Sequence, residues 1–187
     1  MDEGKVLAED LLYRQYLSGD PSAGDRLMLS LGDALTAYLD AFLHNAQDAE
    51  DLMLDSFADI FVRRPSVKEG HFRAYLYKVA RNKANRLWRL RFRRNEFSLE
   101  EAPELGEDRM EDSVWAGERS AILKRCLNRI APQYREALYL YYDMDMSYAQ
   151  AAEAMGCSTK KVEDLLRNGK KSLRKELEKE GITHADI

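Results

Sequence analysis

The side chains best suited to chemistry alternate between aromatic and basic over positions 72–94, in the run FRAYLYKVARNKANRLWRLRFRR. Aromatic rings can stack on unstacked bases, while arginine and lysine attract phosphates and asparagine can hydrogen-bond to a base edge. The candidates for contact with single-stranded nucleic acid are therefore Tyr75, Lys78, Arg81, Asn82, Asn85, Arg86 and Trp88. For Phe72, Leu76 and Val79, which share one helical face, packing in a core is the favoured interpretation.

A second candidate spans positions 147–173, where SYAQAAEAMGCSTKKVEDLLRNGKKSL fits a helix-turn-helix. Ser147 and Gln150 form a predicted capping box for its first helix, and Gly156 suits the left-handed residue that ends it. The second helix can present its amino-terminal end to the major groove. The candidates for DNA contact on it are Ser158, Thr159, Lys160, Lys161, Glu163, Asp164, Arg167, Lys170 and Lys171. A helical hairpin with a solvated basic face is the alternative interpretation.

Charge is distributed unevenly along the chain, although the formal net charge is only −4. Positions 1–62 hold thirteen acidic and three basic side chains, whereas positions 63–94 hold twelve basic and one acidic. Asp48, Asp51 and Asp55 recur at three- and four-residue spacing and suit a basic partner helix, with a solvated acidic face as the alternative. This asymmetry predicts one surface for nucleic acid and another for a different partner.

Helices must position these side chains, and the composition favours an all-α fold of two small helical domains. In the first domain, 1–94, the spacing of apolar residues predicts helices over about 7–17, 21–42 and 48–62. Ser66 and Glu69 fit a capping box that would begin a fourth helix, running to about Arg94.

Positions 95–113 are rich in acidic residues, contain Pro and Gly, and predict a flexible acidic linker. In the second domain, 114–187, the first helix is expected to begin near the linker and to end near Ile130. Pro132 is placed to open the next helix, and the last helix is expected to end near Glu180.

The sequence contains no pattern that indicates catalysis. It has no nucleophile–base pair, no glycine-rich phosphate loop and no metal-ligand spacing, so neither a metal nor a cofactor is expected. Cys126 and Cys157 form no CxxC pair and are expected to be reduced core residues. No signal peptide or membrane-spanning stretch is recognised, so we expect a cytoplasmic protein without membrane insertion.

Four segments resemble, in order, the extracytoplasmic-function sigma factors, which belong to the sigma-70 family of bacterial RNA polymerase subunits. They are LYRQYLSGD at 12–20, DAEDLMLDSF at 48–57, FRAYLYKVARNKANRL at 72–87 and PQYREALYLYYDMDMSYAQAAEAMGCS at 132–158. The resemblance implies that region 2, at 1–94, docks on core polymerase and melts the −10 promoter element. Region 4, at 114–187, would read the −35 element as duplex. The implied partners are core RNA polymerase, through its clamp and flap, promoter DNA and an anti-sigma factor.

The resemblance also implies roles for individual residues. The family meets the polymerase clamp at the positions of Asp51, Leu54 and Asp55, to which the acidic spacing adds Asp48, and it holds a flipped −10 base at the position of Asn82. The candidates at 72–94 are thereby assigned to the −10 element and those at 158–171 to the −35 element. Leu54 stands where relatives often have glutamine, which makes that clamp contact apolar.

Glu163 and Asp164 depart from the family pattern, because many relatives have basic or small polar residues there. Acidic side chains repel phosphate, although a carboxylate can accept a hydrogen bond from cytosine N4. A stand-alone helix-turn-helix regulator is the alternative function, but it would leave the run at 66–94 and the acidic spacing without a role. An enzyme, or a helical interaction module without a DNA role, is a further alternative.

Overall fold

The computed structural model describes residues 3–43, 45–93 and 118–182. Within these ranges the chain forms helices and no strands, so the predicted all-α fold class is confirmed. The chain divides into two compact units, Met1–Arg109 and Met110–Ile187. The predicted acidic linker at 95–113 and the start of the helix predicted to follow it lie outside the described residues.

The first unit contains four helices, α1 Glu3–Leu17, α2 Pro21–Leu43, α3 Ala46–Arg63 and α4 Phe72–Arg93. Its core is built from their apolar faces, and the fully buried side chains include Leu27, Leu35, Phe57, Phe72, Leu76 and Tyr77. Burial of each such side chain contributes about 1.5–3 kcal/mol. The rings of Tyr38 on α2 and Tyr77 on α4 lie 5.0 Å apart between centroids. This packing fixes α4 with one face inward and its polar face toward solvent.

The start of α4 differs from the sequence prediction. Ser66 and Glu69 do not form a capping box, because the helix begins at Phe72 and residues 64–71 form a connecting loop. The backbone N–H of Phe72 instead donates to Oδ1 of Asp10 on α1, at 3.2 Å. Since this cap comes from a residue 62 positions away, no local pattern could reveal it.

The second unit contains α5 Glu118–Arg129, α6 Pro132–Leu138, α7 Tyr148–Met155 and α8 Thr159–Lys179. Pro132 opens α6 as predicted, since proline at the first helical position lacks only an N–H that would have no partner within the helix. A π-helical turn, Tyr139–Asp143, continues α6 and was not predicted. The end of α8 is tied to α5, because Arg129 Nη1 donates to Glu180 Oε1 at 2.6 Å.

The helix-turn-helix predicted at 147–173 is formed by α7 and α8. The N–H of Gln150 donates to Ser147 Oγ at 3.3 Å and the N–H of Ser147 donates to Gln150 Oε1 at 2.8 Å, so the capping box is confirmed. Gly156 ends α7 in the left-handed conformation, with φ of 65°. The N–H of Lys161 donates to Ser158 Oγ at 3.2 Å and confirms the cap of α8.

Gly169 allows α6 to lie close against the middle of α8. A Cβ atom at this position would lie 3.2 Å from Cβ of Tyr134 and 3.4 Å from Cδ1 of Leu138. Glycine in a helix interior costs about 0.5–1 kcal/mol relative to alanine. The close approach of the two helices is the reason for a glycine here, and it makes the middle of α8 part of the core.

Candidate nucleic-acid interface

Six of the basic side chains of α4 divide into two sets according to their ion pairs. Those of the first set pair with carboxylates of α1 and α3: Arg73 with Glu9, Lys83 with Asp55 and Asp59, and Arg91 with Asp48. The second set comprises Lys78, Arg86 and Arg89, which have no ion-pair partner among the described residues. The helix therefore uses some cations to hold the fold and leaves others available to a polyanion.

The residues predicted to contact single-stranded nucleic acid lie mainly on the solvent side of α4. Asn82, Arg86 and Trp88 are exposed, and the half-buried members are Tyr75, Lys78, Arg81 and Asn85. Because an α-helix turns about 100° per residue, Tyr75, Asn82 and Arg86 lie along one line on its surface. The structure thus brings together an aromatic ring, an amide and a guanidinium on one face.

A shallow cleft of about 40 Å³ lies at the amino-terminal end of this face. Its lining residues are Asp59, Ile60, Arg63, Pro65, Tyr75 and Val79. This volume suits about one water molecule. Tyr75 lines the cleft, whereas Asn82 is exposed beyond Val79 and does not line it. The position predicted to hold a flipped base is therefore next to the cleft on the helix surface rather than inside it.

Lys83 joins α4 to α3 through two carboxylates. Its Nζ atom lies 2.6 Å from Oδ2 of Asp55 and 2.8 Å from Oδ2 of Asp59. The hydrogen bond from Lys83 lowers the pKa of Asp59 below its ordinary value. Asp55 is still exposed, but its charge is shared with an internal partner, so it is a weaker candidate for an external contact than the spacing alone suggested.

The other two members of the predicted acidic stripe differ from each other. Asp48 is paired with Arg91, whose Nη1 lies 2.5 Å from Oδ2 of the carboxylate. Asp51 is exposed and has no basic partner among the described residues. Beside it, Leu54 keeps 45% of its surface exposed. Asp51 accepts a hydrogen bond from Gln47 at 3.4 Å but keeps its charge unpaired among the described residues, so Asp51 and Leu54 form an acidic and apolar surface on α3.

On α8, the two acidic residues that departed from the family pattern pair with neighbouring cations. Lys160 Nζ lies 3.4 Å from Oε2 of Glu163, and Arg167 Nη2 lies 2.5 Å from Oδ1 of Asp164. In the first turns of the helix this leaves Lys161 as the cation without an acidic partner among the described residues. The amino-terminal end of α8 is therefore less positive than its lysine and arginine residues alone would make it.

Further along α8, Lys170 and Lys171 are both exposed. The ammonium of Lys170 lies 5.1 Å from the ring centroid of Tyr142, and its hydrogen bond with Tyr142 raises the pKa of this lysine. Tyr142 belongs to a cluster with Tyr141 and Tyr148, with centroid separations of 4.9 and 5.1 Å along the three rings. This cluster was not predicted from the sequence, because two of its rings lie on the unpredicted π-helical turn.

Arg89 is a candidate that the sequence analysis also missed. It is exposed, and it has no ion-pair partner in the part of the chain that the structure describes. It lies one turn beyond Asn85 and Arg86, on the same side of α4. Helical spacing from these two residues would have been enough to identify it.

Three further observations on the described residues concern metal binding, the cysteines and the membrane. No group of histidine, cysteine or acidic side chains among them could hold a metal ion. Cys126 is buried, Cys157 is half-buried, and neither is in a disulfide. None of the described helices is both long and apolar enough to cross a membrane.

Comparison with known proteins identifies both units. Residues 27–94 match the family described as Sigma-70 region 2, and residues 120–173 match Sigma-70, region 4. The RNA polymerase sigma-E factor of Streptomyces antibioticus is 30% identical over 149 residues, which cover 78% of this chain and 79% of that protein. The ECF RNA polymerase sigma factor SigE of Mycolicibacterium smegmatis is 26% identical over 141 residues, covering 72% of this chain and 54% of that protein.

The fold is also similar to a solved structure. The sigma factor RpoE of Bartonella quintana, crystallised with the anti-sigma factor NepR, has a TM-score of 0.64 and 21% identity over 82% of this chain and 96% of its own. Two sigma-70 regions in order, on an all-helical fold, define a protein that directs RNA polymerase to promoters for transcription initiation. The chain accordingly belongs to the sigma-70 family, in its extracytoplasmic-function class.

Proposed function

We propose that residues 1–94 bind core polymerase and melt the −10 element, that 95–113 link the two domains, and that 114–187 read the −35 element as duplex. The observation that carries the proposal is the division of the basic residues of α4. One set is held by carboxylates of the fold, while the half-buried Lys78 and the exposed Arg86 and Arg89 have no ion-pair partner among the described residues. Cations without an acidic partner, placed beside an amide, suit contact with the phosphates and bases of a nucleic acid.

The surface proposed for the polymerase clamp centres on Asp51 and Leu54. Asp51 offers an uncompensated negative charge to a basic partner, and Leu54 offers an apolar contact beside it. Asp48 and Asp55 lie at the margins of this surface, and a partner must compete with Arg91 and Lys83 for them. Their contribution to binding is therefore smaller than that of Asp51.

On α4, the proposed roles follow from side-chain chemistry. Lys78, Arg86 and Arg89 attract backbone phosphates, while the amide of Asn82 can both donate to and accept from a base edge. The remaining candidates provide rings for stacking and further polar contacts: Tyr75, Trp88, Arg81 and Asn85. Sequence preference at the −10 element is assigned to Asn82, since charged groups that grip phosphates do not discriminate between bases.

On α8, the proposed −35 contacts begin at the amino-terminal end that a helix-turn-helix presents to the major groove. Ser158, Thr159, Lys160 and Lys161 are all exposed there. Arg167, Lys170 and Lys171 extend the basic surface along the helix toward phosphates. Glu163 and Asp164 either weaken this attraction or accept from cytosine N4, and replacement of both acids by their amides separates the two roles.

The same proposal includes the cellular setting of the protein. We infer that it is non-catalytic and cytoplasmic, and that it binds the polymerase flap through its second domain. An anti-sigma factor is a further proposed partner, because a related sigma factor was solved with one. Any partner that covers the exposed face of α4 would block access to DNA.

Run-off transcription with core polymerase on genomic fragments tests the proposal. Transcripts that share a −35 and a −10 element upstream of their start sites, and that require this chain, are the expected result. The variant Arg86→Ala should be assayed in parallel. Because the exposed side chain of Arg86 makes no ion pair among the described residues, its removal should lower transcription without unfolding the protein. Tight sequence-specific binding to duplex DNA without polymerase, together with no transcription, would instead favour a stand-alone helix-turn-helix regulator.

A further inference from the structure

No residue of helix α1 is assigned a contact with polymerase or DNA in the proposed function. The helix nevertheless contacts the loop at 64–71 and the first turn of α4. Four side chains between positions 9 and 14 make these contacts. They are Glu9 with Arg73, Asp10 with the backbone N–H of Phe72, Tyr13 with the carbonyl of Pro65, and Arg14 with Glu69. Much of one face of α1 is therefore directed at the segment that precedes Tyr75.

The pair between Glu9 and Arg73 is bidentate and buried. Nε of Arg73 donates to Oε2 of Glu9 at 2.9 Å and Nη2 donates to Oε1 at 2.5 Å, with only 2% and 8% of the Glu9 and Arg73 side chains exposed. A buried ion pair adds little net stability over a well-packed apolar pair. What the forked geometry supplies is a fixed orientation for the first turn of α4.

Asp10 provides the cap that the start of α4 lacks locally. Its carboxylate accepts from Phe72, and the adjacent residue Gly70 has a left-handed backbone with φ of 78°. A carboxylate at a helix amino terminus is favourable because the first N–H groups have no partner within the helix. Burial nevertheless raises the pKa of Asp10, so the position of this acid is costly and depends on the cap it provides.

Tyr13 fixes the loop itself. Its hydroxyl donates to the carbonyl of Pro65 at 2.8 Å, and its ring lies 4.5 Å from that of Phe72. Burial raises the pKa of Tyr13 to about 12, so the hydroxyl stays protonated and remains a donor. Pro65 and Tyr75 both line the same cleft. The hydrogen bond from Tyr13 thus holds one wall of the cleft beside the proposed −10 surface.

We propose that α1 is a positioning element for −10 recognition, acting through Tyr13 and Asp10 on the loop at 64–71 and on Tyr75. This inference rests on the proposed function, in which Tyr75 faces the −10 element. If the loop and the first turn of α4 are held less firmly, the cleft beside Tyr75 loses its defined shape. Discrimination between −10 sequences then falls, while attraction to the DNA backbone is unchanged.

The test compares two equivalent substitutions on α1. Tyr13→Phe removes the hydroxyl that donates to Pro65 in the loop but keeps the ring on Phe72. Tyr16→Phe is the matched control, because the hydroxyl of Tyr16 donates at 3.1 Å to a carbonyl of α3, that of Phe61. Holoenzyme made with each variant is assayed for promoter opening on the preferred −10 sequence and on a −10 library, with thermal unfolding of each chain in parallel.

Tyr13→Phe should lower the ratio of opening on preferred over altered −10 sequences by about fivefold, as the loss of one hydrogen bond implies. Tyr16→Phe should leave this ratio unchanged, and both variants should bind core polymerase like the wild type. An unchanged ratio for Tyr13→Phe, or an equal change in both variants, would overturn the inference. If wild-type holoenzyme itself shows no −10 preference, it is the proposed function that fails.

A second pair of variants separates positioning from stability. Asp10→Ala removes the acceptor for the N–H of Phe72, whereas Asp10→Asn keeps an oxygen there. Asp10→Ala should reduce −10 discrimination and Asp10→Asn should restore most of it. If both variants lose discrimination only in proportion to the amount of folded protein, α1 acts on stability alone and the inference is wrong.

Discussion

The double variant Glu163→Gln, Asp164→Asn should strengthen binding of the holoenzyme to the −35 element. In the structure these two acids pair with Lys160 and Arg167, so they neutralise cations that are proposed to meet phosphate. Glutamine and asparagine keep nearly the same shape while removing two negative charges. The perturbation therefore changes the electrostatics of α8 with little change in its packing.

The expected magnitude follows from the geometry. Each i, i+3 pair on an exposed helix stabilises it by about 0.2–0.5 kcal/mol, so the free energy of unfolding should fall by less than about 1 kcal/mol. If each carboxylate is taken to lie about 8 Å from a bound phosphate, its charge interacts with that phosphate by about 0.5 kcal/mol in water. Removal of both acids should thus improve the binding free energy by about 1 kcal/mol, or about fivefold in affinity.

The salt dependence gives an independent measurement. If Lys160 and Arg167 each become able to neutralise one phosphate, the slope of log affinity against log salt should steepen by about 0.9 for each. Holoenzyme binding to a promoter fragment would be titrated between about 50 and 200 mM salt. Glu178→Gln is the matched control, because Glu178 is exposed on the same helix but lies about 22 Å from Glu163 along its axis.

The opposite result would refute this reasoning. If either carboxylate accepts from cytosine N4, the double variant should lose about 1–3 kcal/mol on promoters that carry the cytosine and nothing on those that lack it. An unchanged affinity and an unchanged salt slope would mean that this part of α8 does not approach DNA. Because Glu178→Gln removes one negative charge and the double variant removes two, a gain for Glu178→Gln of about half that of the double variant would show that only the overall charge of the chain matters.

Three further predictions concern residues of α3 and α4. Asp51→Lys should weaken binding of core polymerase by about tenfold or more in a competition assay with no change in the unfolding midpoint, and unchanged co-purification would assign Asp51 to a solvated surface. Asn82→Ala should weaken promoter opening by about 1–3 kcal/mol on the preferred −10 sequence only. Arg86→Ala should weaken opening on all sequences and lower the slope of log affinity against log salt by about one. Equal losses on all sequences for Asn82→Ala would show that Asn82 contacts the DNA backbone and not a base. The hydrogen bond from Lys83 lowers the pKa of Asp59 below its ordinary value of 3.8. The stability that this interaction adds is therefore present above pH 3.8 and is lost as the pH falls through the folded-state pKa. Asp59→Asn should flatten the acid side of a thermal unfolding profile, and an identical profile would show that the pair contributes no stability.

Much of the fold could be predicted because it is encoded locally. The capping box at Ser147, the left-handed Gly156 and the cap at Ser158 depend on residues within a few positions of one another, and all three are present. The start of α4 could not be predicted in this way. Its cap is Asp10, and only the packing of α1 against α4 brings the two together.

The candidate site was predicted by residue type, whereas its charge balance was not. Asp48, Asp51 and Asp55 have equivalent spacing in the sequence, yet among the described side chains Asp51 is the one of the three without a cation from α4. Which acid meets which base depends on how α3 and α4 are rotated against each other. The helical period gives the face of each helix, but it does not give the register between two helices.

The glycine at the contact between α6 and α8 separates two kinds of evolutionary constraint along one helix. Any side chain at Gly169 would push against Tyr134 and Leu138, so drift at this point is restricted by the fold. Three turns earlier, the exposed residues from Ser158 to Lys161 touch no core, and substitution there leaves the hydrophobic contacts intact. If the first turn of α8 reads the −35 element as proposed, gene duplicates of this protein can acquire new target promoters by changing the exposed residues there, while Gly169 is retained for the packing of α6 against α8.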